Sequence, residues 1–413
     1  MSAIQSYRRL FSLTGMSYVV IAFLGRLPLA MSQMGVLMFV ASRTGSFGAG
    51  GTCAGALAVA NAIGAPAAGS LADRLGQRPV VLVQSLAGAT GLGVIVLIVE
   101  SGAGWGWAAL AAAGAGLMLP QVGPLARVRW RPVIARHHAG QHLLDTAFSY
   151  EGSADEATFV LGPALVGILA AIVDPAVGLI GALVVLAVFG TLFALHPTAR
   201  MAHPETTAAT GTARLLTLGL FVLAGAQLII GMVFGSVQTG ATVIATDAGH
   251  AGIAGLLHAT LGVGSVVAGL CMAALPASIG HLTRWRATAG GLLVLAVPLL
   301  VVHSIGTLVP VLLVLGLCVA PYMITTFTLG ESITPVNRTG AAMTLLAAAT
   351  GMGYAVGAAI AGRLADIGGE TPAFAVTVVA GLLALTLSTF AGRALRPAED
   401  PRPVPTPALG SRP

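Results

Sequence analysis

The sequence predicts an all-α membrane protein: twelve transmembrane helices in two pseudo-symmetric six-helix bundles, with both termini cytoplasmic. Three observations predict it. Charged residues are 8% of the 413-residue chain and apolar residues 56%, with a mean hydropathy of +0.92. A soluble domain carries about 25% charge, so this chain cannot cover a soluble surface of its size. Uncharged apolar stretches of roughly 20 residues recur along the whole length, which is what a helix needs to cross a bilayer. The basic residues are all arginine, and they fall between those stretches mostly on alternate loops.

The spans fall at roughly 17–41, 49–71, 79–99, 105–126, 148–172, 176–196, 215–240, 251–275, 287–303, 306–328, 339–362 and 372–393. The first follows "YRRLF" and imitates a secretory signal, but it runs on to Ala41, too long for one, and is read as an uncleaved span. Several spans are rich in Gly and Ala, which lets backbones approach closely in a bundle. No stretch alternates like a membrane strand, which sets a β-barrel aside.

Orientation follows from arginine, which is in excess on cytoplasmic loops. With the N-terminus inside, 17 of 20 arginines lie on inner segments: Arg8, Arg9, Arg74, Arg78, Arg127, Arg129, Arg131, Arg136, Arg200, Arg214, Arg284, Arg286, Arg338, Arg393, Arg396, Arg402 and Arg412. Arg43 and Arg363 lie outside, and Arg26 sits inside a span. One missed span would scramble this pattern. The expected organisation is an N-terminal bundle over 1–196, a cytoplasmic linker over 197–213, a C-terminal bundle over 214–395 and a disordered tail over 396–413.

A pI near 9.9 raises nucleic-acid binding, but the arginines are not gathered on one patch, so no nucleic-acid partner is expected. Cys53, Cys271 and Cys318 each lie in an apolar run, with no disulfide framework and no CxxC spacing. No P-loop, metal-ligand cluster or catalytic triad emerges. The chain is therefore read as no enzyme, with no cofactor and no metal.

The halves repeat weakly. "GLMLP" (116–120) faces "GLCVAP" (316–321), and "LGPALVG" (161–167) faces "VGAAIAG" (356–362). Paired six-helix halves place a substrate site at their interface near the midplane and let the halves rock about it. Between spans 2 and 3 stands "GSLADRLGQRP", Gly69 to Pro79. In it Asp73 and Arg74 sit at a helix end, Gly76 permits a tight turn, and Arg78 can pair with a carboxylate or cap a helix. This loop resembles the signature loop of the major facilitator superfamily, in residue type, spacing and place. The resemblance implies a secondary transporter whose loop, through Gly69, Asp73, Arg74, Gly76 and Arg78, latches the two halves in one state and releases them in the other. Relatives that exchange drugs for protons often carry an Arg in span 4 before a G-x-G. Here Gly114-Ala115-Gly116 is present and the Arg is not.

The stretch "SYEGSADEATFVLGP" (149–163) packs Glu151, Asp155 and Glu156 into six residues of a chain with only 14 acids. Arg26 and Glu156 both lie roughly 26 Å below the outer ends of their spans at 1.5 Å per residue. An ionised group there is costly unless paired or wetted, so Arg26 is expected to pair with Asp155 or Glu156. Adjacent acids point about 100° apart, whereas Glu151 and Asp155 share a face. One acid is then structural and another free to carry a proton; purely structural and interfacial roles stay open. The second half has Leu346, Thr350 and Gly351 at the equivalent places.

The candidate cavity residues are Gln33, Asn61, Gln121, Tyr150, Gln227, Gln238, His258, Tyr322 and Tyr354, and Pro28, Pro120, Pro163 and Pro321 are candidate kinks. The expectation is alternating-access export of amphipathic or hydrophobic small molecules in exchange for protons, from a bacterial cytoplasmic membrane. The expected partners are a small-molecule substrate, protons and the lipid bilayer, and the chain is expected to be a monomer. Uptake of a small metabolite by symport or uniport, and a non-transporting sensor, are the alternatives.

Overall fold

The computed structural model describes residues 3–137, 141–201, 217–249, 253–276, 278–391 and Leu395. Among them, twelve helices are long and apolar enough to cross a membrane, and there is no strand. A short helix, α1 (Ala3–Thr14), precedes them. The first six spans are α2 (Met16–Thr44), α3 (Phe47–Leu75), α4 (Gln77–Glu100), the pair α5 (Trp105–Met118) and α6 (Val122–Arg136), α7 (Gln141–Ile172), and α8 (Pro175–Val185) continued by one π-helical turn into α9 (Thr191–Leu195). The single turn α10 (Thr198–Met201) follows. The second six are α11 (Leu218–Asp247), α12 (Ala254–Cys271), α13 (His281–Ala296), α14 (Ile305–Ile333), α15 (Thr339–Gly368) and α16 (Glu370–Phe390).

Number and order match the sequence reading, and one of its details needs correction. The fourth span does not end near residue 126 in an arginine-bearing surface loop. It breaks at Leu119-Pro120-Gln121 and resumes as α6 to Arg136, and Arg127 and Arg129 on it are buried. Proline lacks the N–H a helix needs, so the carbonyls below it lose partners. Asn61 of α3 supplies them: its Nδ2 donates to Gly116 O at 3.0 Å and Leu119 O at 2.9 Å. Gln121 Nε2 donates to Asn61 Oδ1 at 2.6 Å. Capped in this way, an interrupted helix is tolerated at membrane depth.

The first span, read from about residue 17, begins at Met16, apart from the short helix before it. α1 is separated from α2 by Gly15, whose φ of 79° is a value few other residues adopt. Only the first residues of the expected linker 197–213, as far as Met201, are described; the rest of it and the tail 396–413 lie outside the described residues.

The repeat is visible in the packing. Gly116 of α5 lies against the Leu57 backbone of α3, and Gly316 of α14 lies against the Leu261 backbone of α12. A Cβ at either glycine would strike a carbonyl. Both belong to the "GLMLP" and "GLCVAP" segments, so the repeat reflects one contact used twice.

The apolar core divides unevenly. One cluster joins α1, α6 and α7 to the second half. A separate cluster fills the first half around Val36, Phe39, Leu57, Ile95 and Leu179, towards the end that carries Arg43. The halves are therefore fused at the arginine-rich end and keep independent cores at the other.

Candidate functional site

The acid-rich stretch lies on α7, and helical geometry sorts its three carboxylates. Glu151 and Asp155, four residues apart, face the interior of the first half. Arg26 of α2 donates from Nε to Asp155 Oδ1 at 2.8 Å, and its Nη2 meets Glu151. Its remaining nitrogen, Nη1, donates to Ala22 O at 2.8 Å, one turn back on its own helix. Arg127 of α6 places Nη1 2.7 Å from Asp155 Oδ2. Trp130 Nε1 donates to Glu151 Oε1 at 2.5 Å. Gly123 makes room for Asp155, whose carboxylate a Cβ there would strike.

Two arginines and two acids thus balance in a site where Glu151 is wholly buried and Arg26 nearly so. Isolated charges at this depth cost several kcal/mol each, by the order of magnitude of desolvation, and pairing offsets that. Arg127 also stacks over the Phe327 ring of α14, with Cζ 4.1 Å from the centroid, so the cluster touches the second half.

Glu156 points elsewhere. It does not meet Arg26, the alternative the sequence reading had left open; the second partner of Arg26 is Glu151. Glu156 is 5% exposed and lies beside the Ser265 hydroxyl of α12, short of hydrogen-bond geometry. Among the described residues it has no ion pair. It is a buried acid without a cation, on the seam between the halves.

Around it the seam is tight at the arginine-rich end. Asp73 at the end of α3 accepts from the backbone N–H groups of Gly340 at 2.9 Å and Ala341 at 2.8 Å. These are first-turn amides of α15, where unpaired donors and the helix dipole both favour an anion. Gly69 and Gly340 let α3 and α15 approach, since a Cβ at Gly69 would meet Thr344 and Gly340 O. Gly76 turns the chain at φ 86°. Arg74 and Arg78 are exposed and make no ion pair among the described residues, so the pairing expected of Arg78 is not formed. Arg131 pairs with Glu331 of α14 across the seam, and His281 Nε2 stands 3.7 Å from Asp145. Among the described residues, the polar contacts between halves cluster at this end.

The expected cavity residues separate into two groups. Asn61 and Gln121 hold the break in the fourth span. Gln227 accepts from Thr350 Oγ1 at 3.1 Å within the second half, and Tyr322 is buried 6.2 Å from the Trp285 ring. In this structure these four are engaged in contacts between helices. Gln33, Tyr150, Gln238 and His258 are partly exposed, and Tyr354 is exposed. His258 keeps its Nδ1 unpaired, beside Phe234 at 6.2 Å. Tyr150 packs edge-on against Phe11 of α1 at 5.1 Å.

Sequence reasoning missed Arg127, Trp130, Arg131 and Glu331. The arginines looked like loop charge, because the helix was read as ending near residue 126. A signal was present: "VGPLARVRWRPVIAR" puts Arg127 and Arg131 four apart, a helical spacing.

Residues 223–412 match the sequence model of the Major Facilitator Superfamily. By structure, the chain is similar to a human organic anion transporter, with a TM-score of 0.65 at 17% identity over 90% of this chain and 98% of that one. It is also similar to a bacterial homologue of the iron transporter ferroportin in an outward-facing state, with a TM-score of 0.66 at 17% identity and the same coverage. No curated protein matches the chain by sequence.

Proposed function

We propose that the chain belongs to the major facilitator superfamily, whose sequence model matches residues 223–412 and whose solved transporters share its fold, and that it is a secondary active transporter working by alternating access. Among the described residues the polar contacts between the halves lie at the arginine-rich end, and the first half keeps a separate core at the other, which is the arrangement of a state open to one side. Arginine distribution assigns the closed end to the cytoplasm, so this is an outward-facing state of a protein in a bacterial cytoplasmic membrane. Asp73 on the first amides of α15, with Gly69, is the latch that holds it. Rocking of 1–196 against 214–395 opens it.

Glu156 carries the coupling. It is buried, it lacks a cation, and it stands on the face of α7 that leaves α12 when the inner end opens. Protonated, it crosses a closed apolar seam at little cost; ionised, it favours the state that wets it. The paired Glu151 and Asp155 are spoken for by Arg26 and Arg127. The cargo is an amphipathic or hydrophobic small molecule exported in exchange for protons.

Proton flux in everted vesicles tests this. Energised vesicles receive lipophilic cations, organic anions, antibiotics and sugars while lumenal pH is followed. Wild type is expected to release protons with some of them, and Glu156→Gln, at matched folded amount, to lose that release. Release that survives Glu156→Gln unchanged removes Glu156 from the coupling step.

One observation favours a second reading. Arg127 is 1% exposed, and its guanidinium nitrogens lack hydrogen bonds of good geometry even beside Asp155. An organic anion, the cargo of one structural relative, would use such a group. Proton release with the anions alone in the same panel selects it.

A further inference from the structure

α1 has two faces. Ser6 and Leu10 are buried, with Tyr7 and Phe11 packed beside them, whereas Ile4, Arg8, Arg9 and Ser12 are exposed. The buried face rests on the first half. Ser6 Oγ lies 3.2 Å from His142 Nε2, and Phe11 packs on Tyr150. Gly15 joins α1 to α2 at φ 79°, so α1 travels with that half while its own angle is set by what it touches.

One side chain reaches further. The Tyr7 hydroxyl lies 2.8 Å from Ser149 Oγ of α7 and 2.8 Å from Leu270 O of α12. Ser149 in turn donates to Gly269 O of α12. Both carbonyls belong to the last turn of α12, where acceptors run short of intrahelical donors.

The hydrogen count is informative. Two hydroxyls supply two hydrogens for three oxygen–oxygen contacts. Every allocation that uses both hydrogens donates at least one across the seam: Tyr7 to Leu270 with Ser149 to Gly269, Tyr7 to Leu270 with Ser149 to Tyr7, or Tyr7 to Ser149 with Ser149 to Gly269. Burial pushes the Tyr7 hydroxyl up to about 12, so it keeps its hydrogen at any physiological pH.

We infer that α1 is a clasp on the inner gate, with Tyr7 its positioning residue: it caps the end of α12 from the opposite half and holds the inner end shut. This rests on the alternating-access reading above. Ser149 and Gly269 cannot stay in contact once α7 and α12 part, and Tyr7 must then release Leu270 O. The clasp acts beside the Asp73 latch, at a separate pair of helices, and it belongs to the N-terminal segment rather than to the signature loop.

Thiol labelling tests it in the full-length chain. Cys53, Cys271 and Cys318 are replaced by alanine, and Thr328→Cys places one thiol on α14. Thr328 is 4% exposed and lines a small cavity with Asp145, His281 and Ile324 behind the seam. A membrane-impermeant maleimide is added to inside-out vesicles. Tyr7→Phe keeps the ring and removes the hydroxyl; losing one to two hydrogen bonds predicts roughly a three- to ten-fold faster labelling. Ser12→Ala, on the exposed face, is expected to leave it unchanged. Asp73→Asn is run in parallel and is expected to raise it as well. If Asp73→Asn speeds labelling and Tyr7→Phe does not, the gate moves and the clasp is refuted. If neither speeds it, the two-state reading falls and the clasp with it. A lower melting temperature in Tyr7→Phe with unchanged labelling makes Tyr7 a packing residue only, and also overturns the inference.

Discussion

The same helix pair meets in each half, and the two meetings differ in charge. In the first half, Arg26 of α2 holds Asp155 of α7 at 2.8 Å. In the second, Gln227 of α11 and Thr350 of α15 hold each other at 3.1 Å. The aligned "LGPALVG" and "VGAAIAG" segments put Thr350 at the place of Asp155. The neutral pair shows that this contact needs only a hydrogen bond to form. A buried ion pair is often no more stable than what could replace it. On the proposed transport reading the charges in the first half serve the cycle rather than the fold, and Glu156, whose counterpart is Gly351, extends the difference.

The largest effect comes from breaking the charged copy on one side. Arg26→Gln leaves Glu151 and Asp155 facing Arg127 alone, and an uncompensated buried charge costs about 3–5 kcal/mol. Thermal unfolding in detergent is expected to show a large loss of folded protein. The double variant Arg26→Gln with Glu151→Gln keeps Arg127 on Asp155, removes the acid left without a partner, and is expected to recover most of that stability without recovering proton-coupled transport. If the double variant transports like wild type, the charges are structural after all.

A smaller effect sharpens the neutral copy. α11 and α15 approach through Gly231, Gly235, Gly353 and Gly357, and a Cβ at Gly353 would strike Leu228 O. Overpacking of this kind costs about 1–3 kcal/mol. Gly353→Ala is expected to lower the melting temperature, whereas Gly351→Ala, where a Cβ meets open space, is expected to leave it nearly unchanged. Equal effects would mean that backbone approach is not what joins this pair.

The smallest effect is at the end of the first half away from the arginine-rich end. Arg43 of α2 gathers Glu100 at 3.0 Å and Asp174 at 2.9 Å. The Asp174 carboxyl is held below its usual range, first by the Ala176 N–H it caps and then by Arg43. A depressed folded value adds stability above the unfolded value, about 3.9, and loses it as pH falls through the folded value. Wild type and Asp174→Asn are expected to differ slightly in melting temperature at neutral pH and to converge below about pH 4. The group is exposed, so the difference should also shrink in high salt.

Twelve spans and a paired-half design were legible because their cause is local. Lipid offers no hydrogen bonds, so a spanning segment must be apolar and mostly helical, and composition alone reveals it. The acids of α7 were noticed for the same reason, as charges where lipid penalises them. Pairing was not legible. Helical periodicity allowed Arg26 to meet Asp155 with either neighbour, and only the placement of α2 and α6 against α7 chose Glu151 and left Glu156 on the seam. Arg127 was hidden because the fourth span was read as ending near residue 126, one residue before it. Whether a proline ends a helix depends on what takes up the freed carbonyls, and Asn61, more than fifty residues away in sequence, does so here. The sequence by itself determined which segments enter the membrane, since that is set by each segment's own exchange of water for lipid. The tertiary structure alone decided which buried charge is paired, which is free, and that Tyr7 crosses the seam, because those depend on neighbours far apart along the chain.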